Sequence, residues 1–139
     1  MRVLIRGAGD IATGIVLRLY RARMQVIMTD LPKPTAIRRT VCFSQAIVHG
    51  EAEVEGVRAI FAESIAAAER IADQGHIPVL ADPECACRAE LRPDALVDAI
   101  LAKRNLGTRI TDAPIVVGIG PGFTAGKDCH AVVETMRGH

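Results

Sequence analysis

The stretch Arg2-Val-Leu-Ile-Arg6, then Gly7-Ala-Gly9-Asp-Ile-Ala12-Thr-Gly14 and an apolar run to Tyr20, decides the reading of the fold. A short aliphatic run reads as a strand, the glycines as a tight turn, and the segment beyond as a helix. This is the G-x-G-x-x-G/A arrangement of dinucleotide-binding βαβ units. Gly7 suits the tight turn, Gly9 lets a pyrophosphate touch bare backbone, and Ala12 keeps helix and strand close. The N-terminus of the helix offers unpaired N–H groups and partial positive charge to an anion. Gly7, Gly9, Asp10, Ile11 and Ala12 are therefore the first candidate binding residues.

Two features of context strengthen the motif. Ile11, Ile15, Val16 and Leu19 recur at helical spacing, while Arg18, Arg21 and Arg23 can face water. Gln25-Val-Ile-Met-Thr-Asp30 reads as the next strand and ends in an acid roughly 20 residues past the turn, where a ribose-binding carboxylate is expected. Asp30 there favours NAD over NADP, because it would repel a 2′-phosphate. Lys33, Arg38 and Arg39 follow soon after and offer the opposite charge.

The chain has 139 residues, enough for one core, and half of them are hydrophobic. With no Trp, one Tyr and three Phe, that core must come from Ala, Val, Ile and Leu. An aliphatic bias of this kind suits buried parallel strands. The expected fold is α/β and Rossmann-like: a mostly parallel sheet with helices on both faces, over residues 1–139 as a single dinucleotide-binding domain. A formal net charge of +1 and scarce aromatics argue against nucleic acid. Arg6 and Asp10 interrupt any signal-like apolar stretch, and no run approaches the roughly 20 apolar residues of a membrane span. The expected location is the cytoplasm.

Further along, residues 37–43 read as a short strand and 53–61 as another. Residues 62–74 read as a helix capped by Gly75. Strands follow at 77–81, with Pro78 near the start, then at 114–119 and 130–136; 94–102 fits a helix as well as a buried strand, and Arg92-Pro93-Asp94 as an entry turn favours the strand. Two more loops carry polar or glycine-rich chemistry. If 95–101 is a strand, Lys103, Arg104 and Asn105 leave its end on the ligand side, able to hold and orient an anionic group. Gly118-Ile-Gly120-Pro-Gly122-Phe-Thr-Ala-Gly126 also follows a strand; its backbone N–H groups, with Thr124 and Lys127, suit an anion. Gly120 and Gly122 are the candidates there. Of the four cysteines, Cys85 and Cys87 make a single C-x-C pair, short of the two spaced pairs of a zinc site. Reduced thiols are expected, with no metal and no disulfide.

Several of these stretches occur together, in order, in one known family. Val3-Leu-Ile-Arg-Gly-Ala-Gly-Asp-Ile-Ala-Thr-Gly14, Pro34-Thr-Ala-Ile-Arg-Arg-Thr40 and Gly50-Glu-Ala-Glu-Val-Glu-Gly56 carry the likeness in the first half of the chain. Ala102-Lys-Arg-Asn-Leu-Gly-Thr108 and Gly120-Pro-Gly-Phe-Thr-Ala-Gly126 carry it in the second. The chain resembles the accessory-protein family of the selenium-dependent molybdenum hydroxylase system, bacterial proteins associated with xanthine-dehydrogenase-like enzymes. The resemblance implies the N-terminal domain of a longer architecture, with a biotinyl/lipoyl-like region beyond. It also implies a role in maturing a molybdenum hydroxylase, handling its cofactor or its selenium, with that enzyme as partner protein. A homo-oligomer is a further expectation.

The cofactor expectation is NAD or a related dinucleotide, including molybdopterin dinucleotide, held through the same pyrophosphate contacts. The alternative is an NAD-dependent oxidoreductase acting on a small anionic substrate, with Lys103 or Asp112 transferring a proton. No His or Tyr-Lys pair is obviously placed for hydride chemistry, which favours the accessory role.

Overall fold

Val3, Leu4 and Ile5 are all buried, as are Val26, Ile27 and Met28, so neither of the first two strands has a solvent face. Such continuous apolar runs belong in the interior of a parallel sheet. The computed structural model describes residues 1–30, 42–102 and 104–134. Within them lie strands β1 (Arg2–Arg6), β2 (Gln25–Asp30), β3 (Glu51–Val54), β4 (Val57–Ala62), β5 (Ile77–Ala81), β6 (Ala95–Asp98), β7 (Ile115–Ile119) and β8 (Ala131–Val133). The helices among the described residues are α1 (Asp10–Arg21), α2 (Gln45–His49), α3 (Ile65–Asp73) and α4 (Arg88–Leu91).

The fold is α/β, with one mostly parallel sheet ordered β3-β4-β5-β2-β1-β6-β7-β8. Neighbours from β4 to β8 pair in parallel, and β3 closes one edge as the antiparallel partner of β4. From β1 the chain first builds leftward through β2, then returns to the other side of β1 with β6. The direction of building therefore reverses between β1 and β6.

Side chains alternate across each strand, and the core divides accordingly. Val3, Ile5, Val26 and Met28 pack with Ala12, Val16 and Leu17 of α1 and Ala46 of α2. Leu4, Ile27, Leu80 and Leu96 pack with Ala68 and Ala72 of α3 and Leu91 of α4. Ser64 caps α3 by accepting from Ala67 N at 3.1 Å, and Gly75 follows its end at φ +86°. No helix among the described residues is long and apolar enough to cross a membrane.

Several elements differ from the sequence reading. The strand expected over 53–61 is a hairpin: Glu55 and Gly56, both at positive φ, turn β3 back on β4. The expected helix over 62–74 starts only at Ile65, because Ala62 is still paired with Leu80 in the sheet. The strand expected over 94–102 ends at Asp98, after which the chain turns away and Leu101 adopts φ +64°. Most of the strand expected over 37–43 lies outside the described residues; Cys42 and Phe43 are not in a strand. In α1 the buried stripe is Ala12, Thr13, Val16 and Leu17, with Ile11 exposed. Ile11 lines a cleft instead of packing on the sheet.

Leu4 is wholly buried on the central strand. Leu4→Ala should cost about 2–5 kcal/mol by leaving a cavity that the sheet backbone cannot collapse. Urea unfolding of both proteins, with unchanged m-value, would measure it.

Candidate functional site

Five candidates from the glycine motif converge on one cavity. Gly7, Gly9, Asp10, Ile11 and Ala12 line it on the side of β1 and α1, and Asp30 lines it from the end of β2. The volume is about 330 Å³, within the size range of small-molecule sites. Ala99, Ile100, Leu101 and Leu106 form the apolar wall beyond β6, while Asp82 and Pro83 come from the end of β5. Every contributing strand delivers its C-terminal end, and the cavity spans the β1–β6 reversal, where open α/β sheets bind ligands.

The two glycines have distinct physical roles. Gly7 sits at φ +114°, and a Cβ there would stand 2.8 Å from the Ala99 carbonyl oxygen. The turn after β1 can thus touch the end of β6 only without a side chain. Gly7 N donates to Thr29 O at 2.7 Å, which ties the same turn to β2. At Gly9 a Cβ would meet nothing within 4 Å, so the bare backbone faces open space. Gly9 is the N-cap of α1 and supplies no side-chain cap; Asp10 Oδ1 takes one free donor, Ile11 N, at 3.0 Å. The turn is braced from behind by a buried segment: Ser44 N donates to Ala8 O at 2.9 Å, and Phe43 N to Thr13 Oγ1 at 2.9 Å.

The second set of candidates lies beside this cavity rather than on it. Asn105 Nδ2 donates to Thr108 O at 2.7 Å and its Oδ1 accepts from Thr108 N at 2.8 Å, so its amide shapes its own loop. Arg104 is exposed. A Cβ at Gly122 would fall 2.6 Å from Arg104 Cα, and one at Gly120 would fall 2.9 Å from the Leu101 side chain. Gly120 and Gly122 therefore let the loop after β7 press on the loop after β6, whose Leu101 lines the cavity. Lys103 lies outside the described residues. Asp112 is 3.1 Å from Arg88 Nε and also accepts from Arg109 N at 2.8 Å, a loop-bracing role.

Sequence reasoning missed the polar floor. Thr29, Arg6 and Asp98 are registered neighbours across β2, β1 and β6. Arg6 is only 4% exposed, and its charge faces Asp98 Oδ2 at 3.9 Å. Thr108 links them, accepting from Arg6 NH1 at 3.2 Å and donating to Asp98 Oδ2 at 2.6 Å. Arg6 NH2 also donates to Pro83 O at 3.1 Å. The available signal was that three apolar runs each end in a polar residue at the strand terminus.

Beneath this floor Cys85, at φ +55°, and Cys87 are buried free thiols. The Cys87 thiol hydrogen-bonds to Cys85 and holds it below the ordinary thiol range; burial opposes this, and Thr29 and Arg6 assist. Cys87 is pushed up by the same hydrogen bond and by burial, with the Asp82 charge adding to it. Asp82 orders this turn by accepting from Ala86 N at 3.0 Å and Cys87 N at 2.8 Å. Among the described residues no group of three or more His, Cys, Asp or Glu is placed to hold a metal ion.

No family model matches the chain, and no solved structure matches it. It is similar to the uncharacterized protein YqeB of Escherichia coli (strain K12), with 59% identity over 137 residues. That match takes in 99% of this chain and 25% of YqeB, so the chain spans about a quarter of the length of this curated relative.

Gly7→Ala should destabilise the fold by at least about 1–3 kcal/mol, the cost of a disfavoured φ, before the clash with Ala99 is added. Gly9→Ala should leave stability within about 1 kcal/mol of the parent, since its Cβ meets nothing. Parallel thermal melts would separate the two. Thr108→Val removes the link between Arg6 and Asp98 and should cost about 1–3 kcal/mol, read from the same melts.

Proposed function

We propose that this chain binds a dinucleotide in a Rossmann-like crevice and serves as an accessory or maturation factor for a selenium-dependent molybdenum hydroxylase. The observation that carries the binding half is the meeting of the glycine turn and Asp30 in one cavity at the β1–β6 reversal. The run β5-β2-β1-β6-β7-β8 follows the doubly wound 3-2-1-4-5-6 order, with β4 and β3 added outside it. Residues of α1 and α2 in one core cluster, and of α3 and α4 in the other, support helices on both faces.

In this reading the pyrophosphate lies on bare backbone at Gly9 and on the N-terminus of α1. Asp30 accepts from the ribose hydroxyls, which selects NAD-type ligands over those with a 2′-phosphate. Molybdopterin dinucleotide presents the same pyrophosphate and is the occupant that suits the accessory role. The maturation half rests on the resemblance of the motifs, and the hydroxylase is the partner it implies, in the cytoplasm. The oxidoreductase alternative is weakened because Asp112, one of its two proton-transfer candidates, is paired with Arg88.

A thermal-shift series with NAD, NADP, FAD, ATP, CTP and molybdopterin dinucleotide tests the binding directly, because a ligand of the folded state raises Tm by mass action. The expected result is a rise with NAD or the pterin dinucleotide; no rise with any of the six would reject the reading. Asp30→Ala should weaken NAD binding by about 1–3 kcal/mol, the scale of a hydrogen bond to a charged group, as measured by calorimetry. Steady, substrate-dependent oxidation of NADH would instead favour the oxidoreductase.

A further inference from the structure

Leu106 and Ile11 are large apolar side chains left 44% and 37% exposed, and both line the cavity. Scattered apolar residues on an open surface are ordinary. These two instead share one concave site with Ala99, Ile100 and Leu101. Their backbones are held in place. Leu106 lies inside a turn closed by both ends of the Asn105 amide on Thr108, whose hydroxyl is bonded to Arg6 and Asp98 on the crevice floor. Gly107 completes that turn at φ +101°. Ile11 sits in the first turn of α1, where its N–H donates to Asp10 Oδ1 at 3.0 Å. Two fixed elements thus present side chains whose apolar cover is incomplete.

Strand order sets what they meet. β2 and β6 flank β1, and neighbouring strands run about 4.8 Å apart, which separates the ends of β2 and β6 by about 10 Å. Asp30 stands at the end of β2, Gly9 follows β1, and Leu106 lies beyond β6. A dinucleotide with one ribose at Asp30 and its pyrophosphate at Gly9 carries its other half toward Ile11 and Leu106. Ala99, Ile100, Leu101 and Leu106, the described residues of that wall, bring no charged side chain and no side-chain hydrogen-bonding group. A strongly hydrated group gains nothing there, whereas a flat ring gains by burying its faces.

We infer that Ile11 and Leu106 form an apolar clamp for the planar ring at the far end of the bound dinucleotide, one side chain against each face. The inference rests on the nucleotide reading of the crevice. It assigns the ring end to the β6 side and makes Leu106, outside the glycine motif, a specificity-determining residue. A nicotinamide and a pterin both supply such a ring.

The experiment measures affinity by calorimetry for two ligand pairs that differ only in the ring end: NAD against ADP-ribose, and molybdopterin dinucleotide against its nucleoside diphosphate half. Each is run on the parent protein, Leu106→Ser, Leu106→Met and Ile11→Ser. One pair should show about a tenfold preference for the ring-bearing member, the scale of apolar burial of one ring; which pair shows it identifies the source. Leu106→Ser and Ile11→Ser should each reduce that preference several-fold and leave the ringless member's affinity unchanged, while Leu106→Met keeps it. Tm should hold in all three variants, because both side chains are exposed. Should one serine variant melt early, the other, on a separate element, decides. If both pairs bind without preference in the parent protein, the clamp is overturned while the nucleotide reading stands. If no nucleotide binds, both fall. If the serine variants weaken both members of a pair equally, or leave the preference intact, the clamp is overturned.

Discussion

Arg6 is a full charge buried at the end of the central strand, and the architecture of the crevice follows from how that charge is met. Removing a guanidinium from water costs several kcal/mol unless a counter-charge and hydrogen bonds compensate. Asp98 supplies the charge from the neighbouring strand, and Thr108 joins the two by accepting from one and donating to the other. Thr108 is in turn fixed by both ends of the Asn105 amide. The segment between β6 and Thr108 is therefore tied down at both ends, and Ala99, Ile100, Leu101 and Leu106 within it form the apolar wall of the cavity. One buried ion pair thus holds the two sides of the strand-order reversal together.

Close backbone approach supplies the second constraint. The Ala99 carbonyl occupies the space where a Gly7 side chain would lie, and the turn after β1 also bonds to Thr29 of β2. Gly122 has the same role on the far side of β6, where the loop after β7 rests on Arg104. The glycines divide by geometry: those at Gly7, Gly120 and Gly122 serve contact between loops, and Gly9 leaves its backbone bare toward the cavity. A ligand on that face would meet N–H groups instead of carbon, which is what recognition of a phosphate requires.

Apolar patterning made β1, α1, β2, β5, β7 and the body of α3 legible, because the strands are short continuous apolar runs and the helices carry apolar residues at a period of 3.6. The same signal failed at the β3–β4 hairpin. There Glu55 and Gly56 interrupt a run that alternates only loosely, and the positive φ at both makes the turn. It failed again beyond Asp98, where Ala99 to Leu101 remain apolar after leaving the sheet because they wall a cavity. Of the candidate site, the glycine turn and Asp30 could be found from spacing, since a strand, a tight turn and a second strand fix their separation. The roles of Asn105, Gly120, Gly122 and Asp112 could not, because each depends on what stands opposite.

The amino-acid sequence alone determined the α/β class, the parallel character of the central strands and the location of the glycine turn. These depend on short-range steric and hydrophobic patterns that every neighbouring residue reinforces. Only the tertiary structure decided the strand order, the hairpin edge and the buried row of Thr29, Arg6 and Asp98. Thr29 and Asp98 lie 23 and 92 positions from Arg6 along the chain, and nothing local couples them. They meet because parallel pairing of β2, β1 and β6 aligns the ends of the strands, and a buried charge there is tolerable only with its partner in register.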